Sequence, residues 1–255
     1  MPKEQDSMMV KNWMSQPAIT VDVGTLVEDA DRLAKRHEIH MLPVMQNGRL
    51  AGIVTDRDIN GASASDIPEK KIMRNRHPLS ELKVKKIMTP NPVTVSYNCT
   101  LEEVVEKLLV NNISGLPVVN QQQRVIGVIT KSDLFQLILI LTGYGKKGIL
   151  MAIEVKDQPG RLEAITDIIR DYGGRISSIF STRERADKGN RRLYIRVFNI
   201  DQPILLHLKE VIRKKATLLY IVDHNGKKRE IFEPEDGAWK TLKALVPHKS
   251  RKSKR

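Results

Sequence analysis

Two short motifs in the chain combine residue types that do chemistry. Thr55-Asp56-Arg57-Asp58 and Thr130-Lys131-Ser132-Asp133 each set a hydroxyl three residues before a carboxylate. Each follows an apolar run with strand character and opens a helical one. A carboxylate so placed can accept both hydroxyls of a ribose. The Thr hydroxyl and the free N–H groups of a helix start suit a phosphate or ribose oxygen. The same spacing also makes a plain helix cap. A third motif is Asp157-Gln158-Pro159-Gly160-Arg161-Leu162. Gly160 at a helix start permits close backbone approach, and the exposed N–H groups there attract a carboxylate. It reads equally as a strand-to-helix turn.

No catalytic constellation accompanies these motifs. The six histidines are scattered, without HExxH or another metal spacing, and neither Gly-x-Ser-x-Gly nor a P-loop is present. Gly143-Tyr144-Gly145 is too short for a dinucleotide fingerprint. Cys99 is the single cysteine, so an intrachain disulfide and a cysteine zinc site are excluded. The reading is therefore of a chain that is not an enzyme, with no metal and no catalytic cofactor.

The elements that must hold the first two motifs come twice. Val10–Asp58 and Val84–Asp133 repeat one pattern at an offset of about 74–75 residues. Met14, Pro17, Thr20, Thr25-Leu26, Ile39, Leu42-Pro43-Val44, Gly52-Ile53-Val54-Thr55 and Asp58 answer to Met88, Pro92, Thr94, Thr100-Leu101, Ile113, Leu116-Pro117-Val118, Gly127-Val128-Ile129-Thr130 and Asp133. A unit this small cannot bury its apolar face alone, whereas two copies facing each other can.

Within each copy the pattern predicts β-α-β-β-α. Short strands cover Ile19–Val21 and Val93–Ser96. Helices start at Thr25 and Thr100, both good N-caps, and Thr100-Leu101-Glu102-Glu103 reads as a capping box. Leu26, Ala30, Leu33 and Ala34 make one apolar face, as do Leu101, Val104, Val105, Leu108 and Leu109. Strand pairs follow at Leu42–Met45 with Leu50–Thr55, and at Leu116–Val119 with Val125–Thr130. Asn47-Gly48 is a hairpin signal.

Gly143–Gly148 reads as a linker, beyond which the pattern changes. Ile149–Lys156, Arg161–Tyr172, Ile176–Thr182, Leu193–Ile200, Pro203–Lys215 and Thr217–Asp223 give β-α-β-β-α-β, the ferredoxin-like order. Lys227–Val246 reads as a polar extension with sparse apolar anchors, Ile231, Phe232, Trp239 and Leu242. The fold class is α+β, with domains at 8–61, 82–142 and 148–223 and an extension over 224–255.

The 255 residues carry a formal charge of +13, unevenly placed. Residues 1–135 hold 17 Lys+Arg against 16 Asp+Glu, and the remainder holds 26 against 14. His248–Arg255 reads as a disordered basic tail. The greasiest run, Leu134–Leu141, is far shorter than the ~20 residues that cross a bilayer, and reads as a buried or dimer-facing helix. A cytoplasmic protein without a membrane segment is expected.

The repeats resemble a tandem pair of CBS domains, the adenosine-ligand regulatory module. The marks are the Val-x-x-x-Met lead-in, Thr-Leu at the first helix, Leu-Pro-Val, and Gly-(apolar)-(apolar)-Thr-x-x-Asp, in order and twice. The third unit resembles an ACT domain through Asp157–Leu162. The arrangement is similar to the acetoin utilization protein B family, over roughly residues 8–223.

This resemblance implies a nucleotide site at Thr55 with Asp58 and at Thr130 with Asp133, contacting ribose and phosphates. It adds Ile19, Thr20, Val93 and Thr94 as an adenine wall, with Pro43 and Pro117 beside it. His40 stands where a basic residue reaches phosphate, and Arg57 and Lys131 are further candidates for phosphate. Ser114-Gly115 replaces His40-Met41 in the second repeat, so the two sites are expected to be unequal, with the first favouring phosphate. The implied ligands are AMP, ADP, ATP or S-adenosylmethionine. Asp157, Gln158, Pro159, Gly160, Arg161 and Leu162 would hold an amino-acid effector or another small carboxylate. Partners would be a second copy, as a homodimer, and an unidentified protein that receives the signal. A competing class is a nucleic-acid-associated regulator using the basic second half, although no nucleic-acid-binding motif is apparent.

Overall fold

A computed structural model describes residues 8–63, 81–146 and 148–232. The basic tail and the anchors expected at Trp239 and Leu242 lie outside the described residues. The chain divides into two compact units near residue 134.

The first unit holds both repeats. In the first, β1 (Val21–Asp22), α1 (Val27–Arg36), β2 (Met41–Gln46), β3 (Arg49–Thr55) and α2 (Asp56–Ser63) follow in turn, and β4 (Thr89–Pro90) comes from the lead-in of the second. The second repeat continues with β5 (Val95–Ser96), α3 (Leu101–Val110), β6 (Gly115–Val119), β7 (Val125–Thr130) and α4 (Lys131–Leu141). β1 and β2 pair in parallel, as do β5 and β6, while β2–β3 and β6–β7 are antiparallel hairpins. Burial follows the pattern of the sequence. Val21, Val27, Ala30, Ala34, Leu42, Val44, Val54, Ile59 and Val84 form the first core. Each fully buried aliphatic side chain contributes about 1.5–3 kcal/mol relative to exposure.

The two lead-ins are exchanged. β4 of the second lead-in pairs with Gly52 and Ile53 of β3, extending the first repeat's sheet. Reciprocally, Ser15 of the first lead-in bridges Val128 of β7. Val84 N–H donates to Thr25 O at 2.8 Å, and Val10 N–H donates to Cys99 O at 2.9 Å. Glycine makes this approach available. A Cβ on Gly52 would stand 2.7 Å from Met88 Sδ and 2.8 Å from Thr89 O. On Gly127 it would stand 2.7 Å from Met14 Sδ and 2.8 Å from Ser15 O.

Several expectations need correction. Thr100 caps α3 with the full capping box, its Oγ1 accepting from Glu103 N–H. Thr25 does not cap α1, whose N-cap is Leu26. One residue too early for that role, Thr25 Oγ1 accepts from Asp22 N–H at 3.1 Å and closes a turn. The first strands are shorter than expected, two residues each. α3 buries only a narrow stripe, Leu101, Val104 and Leu108, so Val105 and Leu109 on its flank are exposed. α4 buries Leu134 and Leu137, but Phe135 is 64% and Ile140 63% exposed, so it is not a buried helix within one chain.

The second unit contains β8 (Ile149–Lys156), α5 (Arg161–Asp171), β9 (Arg175–Thr182), β10 (Asn190–Phe198), α6 (Gln202–Arg213), β11 (Thr217–Asp223) and β12 (Lys228–Ile231). The sheet order β12-β11-β8-β10-β9 is antiparallel throughout and contains the ferredoxin-like arrangement. α5 and α6 cover one face through Ile165, Ile168, Ile169, Leu205, Leu208 and Ile212. Asp201 caps α6, with Pro203 in its first turn as expected. The fifth strand, β12, falls where the sequence read as a polar extension. The described ends of the expected linker are engaged, Tyr144 meeting the His224 ring edge-on at 5.4 Å between centroids and Gly148 O accepting from His224 N–H at 3.0 Å.

Candidate functional site

Each Thr-x-x-Asp sits where a strand turns into a helix, and each closes the same ring. Thr55 N–H and Oγ1–H donate to Asp58 Oδ2 at 2.8 and 2.7 Å, and Asp58 N–H returns a bond to Thr55 Oγ1 at 3.3 Å. In the second repeat Thr130 N–H and Oγ1–H both donate to Asp133 Oδ2 at 2.7 Å, with Asp133 N–H to Thr130 Oγ1 at 3.3 Å. The ring consumes one carboxylate oxygen. Oδ1 of each aspartate accepts no bond from a described residue. The carboxylates are therefore fixed in direction and half-buried, with an acceptor to spare.

The residues beside each ring differ between the repeats. Asp56 N–H donates to His40 O at 3.3 Å, and Lys131 N–H donates to Ser114 O at 2.9 Å, so the backbone contact is conserved between copies. The side chains invert its charge. His40 Nδ1 lies 3.2 Å from Asp56 Oδ2, on an open surface. In the second repeat a lysine occupies the place of Asp56, and Lys131 makes no ion pair among the described residues. Asp56 and Arg57, with Asn60 and Gly61, line a hollow of about 520 Å³ beside α2. Asp56 was not anticipated as a neighbour of His40, though the Asp56-for-Lys131 exchange between repeats was readable.

The remaining candidate residues are dispersed. Pro43 and Pro117 are buried in β2 and β6, opposite Ile53 and Val128. Ile19 packs partly against the first core, Thr20 is exposed and Val93 is 38% exposed. Thr94 O accepts from Lys107 Nζ at 3.1 Å. Met41 and Gly115, equivalent in sequence, meet across the repeats. Met41 Cε and Thr130 Cγ2 each lie 3.1 Å from where a Cβ on Gly115 would stand. Methionine in one copy thus fills space that glycine leaves in the other.

In the second unit the Asp157–Leu162 loop has the predicted glycine geometry, Gly160 being the N-cap of α5 at φ +77°. Its acid is already engaged. Asp157 pairs with Arg183 Nε and stands 3.2 Å from Arg191 Nε, and its N–H donates to Gly189 O. The hydrogen bond from Arg183 holds its carboxyl below the ordinary range against the contrary effect of desolvation, with the Arg183 and Arg191 charges acting in the same direction as that bond. Gln158, Pro159, Gly160 and Arg161 are exposed, and Leu162 packs against the core. Beside them Glu154 is buried and accepts from Asp187 N–H, Asn190 Nδ2 and Arg192 Nε at 3.1, 2.8 and 3.0 Å.

Comparison with known proteins locates the same two repeats. The CBS domain family model matches residues 10–65 and 84–140. A CBS domain-containing protein of Dictyostelium discoideum is 37% identical over 137 residues, covering 52% of this chain and 92% of that protein. L-aspartate semialdehyde sulfurtransferase of Methanocaldococcus jannaschii is 31% identical over 137 residues, covering 53% of this chain and 24% of that enzyme. The CBS domain pair of protein MJ0100, solved with 5′-methylthioadenosine and S-adenosyl-L-methionine, is 30% identical. It covers 51% of this chain and 98% of that one, with a TM-score of 0.44. Residues 141–232 lie outside the family model.

Proposed function

The chain belongs to the family of CBS domain proteins, and from that premise we propose that it is a non-enzymatic regulatory sensor of an adenine nucleotide or adenosyl ligand. The observation that carries the reading is the duplicated Thr-x-x-Asp ring, with one aspartate oxygen left over in each copy. A prearranged carboxylate accepts the two ribose hydroxyls without reorganising, and the adjoining helix start receives phosphate. AMP, ADP, ATP and S-adenosylmethionine share the ribose that this geometry addresses.

The test is isothermal titration of AMP and S-adenosylmethionine against Asp58→Asn and Asp133→Asn. Loss of a hydrogen bond to a charged group costs about 1.5–3 kcal/mol of binding. Asparagine keeps an acceptor for the ring, so the fold should survive. Unchanged affinity in both single variants and the double variant would refute the ribose role.

In our reading the second unit is an ACT domain, with its ferredoxin-like sheet as support, and the whole resembles the acetoin utilization protein B architecture. Its Asp157–Leu162 loop is the place for an amino-acid effector. Two copies associate through the exposed apolar residues of α4. Regulation requires that the ligand bind two arrangements of the protein with different affinity, the output being contact with another protein.

A further inference from the structure

A cavity of about 1030 Å³ lies at the other end of the hairpin strands from the Thr-x-x-Asp rings. It is lined by Asn47 and Arg49 at the first hairpin tip, Asn91 and Thr94 of the second lead-in, and Gln122 and Arg124 at the second tip, among others. β7 runs from Val125 to Thr130, so about 20 Å of strand separates Arg124 from the Thr130–Asp133 ring. No residue of either ring lines this cavity.

Arg49 and Arg124 occupy the same position in the two repeats, three residues before Gly52 and Gly127. Residues of both tips and of the second lead-in line one cavity, and both arginines are among them. No Asp or Glu lines it, and neither arginine makes an ion pair among the described residues. The tips are held in shape. Asn47 and Gly48 have φ of +50° and +74°, and Asn91 and Gln123 of +49° and +58°. Asn120 Oδ1 accepts from Gln122 N–H and Arg124 N–H at 3.0 and 2.9 Å. Two unmatched guanidinium forks with side-chain amides around them are the chemistry that takes a phosphate or carboxylate bidentately.

We propose that this cavity is a second ligand site, sharing Thr94 alone with the nucleotide residues named above and no member of either ring, and that it takes a small polyanion. The anionic groups are phosphates or carboxylates, since the guanidinium fork fits both. The test is calorimetric titration of the full chain with pyrophosphate and, separately, with citrate, at fixed ionic strength. The proposal expects saturable binding of one or both, and whichever binds more tightly names the class. Arg49→Gln and Arg124→Gln should each weaken that anion about tenfold, the loss of a charge-assisted contact. Both arginines are exposed, so the fold should persist, which circular dichroism checks. Asp58→Asn and Asp133→Asn should leave the anion's affinity unchanged, separating this site from the nucleotide reading. No saturable binding of either anion, or equal binding by the Arg49→Gln/Arg124→Gln double variant, overturns the proposal. Loss of the anion in the aspartate variants overturns it as well.

Discussion

At the scale of single residues, the two copies of one motif share their geometry and differ in their charge. The Thr-x-x-Asp rings agree within 0.1 Å bond for bond, yet Asp56 faces His40 where Lys131 stands beside Ser114. A carboxylate beside a histidine matches the charge that a phosphate would need, while an unpaired ammonium keeps it available. Against the sequence expectation that the first site favours phosphate, the His40–Asp56 pair leads us to expect Lys131→Ala to weaken AMP relative to adenosine more than His40→Ala does. Titration of both ligands decides it, and a larger selective loss in His40→Ala reverses the order. Glu154 makes a second prediction. Burial alone would raise its pKa, but bonds from Asn190, the Asp187 amide and Arg192 outweigh this and hold it below the ordinary carboxyl range. A carboxyl depressed in the folded state adds stability above its unfolded pKa and loses it as pH falls toward the folded one. Glu154→Gln should cost about 1–3 kcal/mol at pH 7. It should also flatten the stability loss of the wild type as pH falls through and below the ordinary carboxyl range. Urea unfolding at three pH values reads both effects.

At the scale of elements, what the sequence disclosed depended on whether the deciding contact was local. The capping box of Thr100 and Glu103 lies within four residues, and it forms as expected. Thr25 carries the same residue type but stands one position early, where Cys99 stands in the second repeat, and it serves a turn instead. β8 and β11 are nearly continuous apolar runs in their own sequence and were legible to the residue. β12 has only Ile231 as an apolar mark, and its strand state comes from pairing with β11. The Thr-x-x-Asp pairs could be found from spacing alone, whereas His40–Asp56 joins residues sixteen apart across a hairpin. The capping difference is measurable. Thr100→Ala should destabilise the first unit by about 1 kcal/mol, the usual cost of a lost N-cap. Thr25→Ala, which removes a turn bond rather than a cap, should cost less, and comparable losses in thermal unfolding would contradict this.

At the scale of the whole molecule, α4 leaves Phe135, Ile138, Leu139 and Ile140 more than half exposed. An apolar strip of this kind marks an interaction surface, and a two-fold partner is the commonest way to cover one. Light scattering at micromolar concentration should give twice the 29.0 kDa chain mass, and Phe135→Glu/Ile140→Glu should return it to one. A single-chain mass for the unmodified protein removes the dimer. The exchanged lead-ins carry a different consequence, in time rather than space. A chain is made from its N-terminus, so Thr55 is complete while Thr89 and Pro90 do not yet exist. Until they do, the first repeat lacks its edge strand, and Gly52 faces no Met88. At about 5–20 residues per second the ribosome takes a few seconds to supply it. For that interval the nascent first repeat is an open sheet that only its own sequel can close.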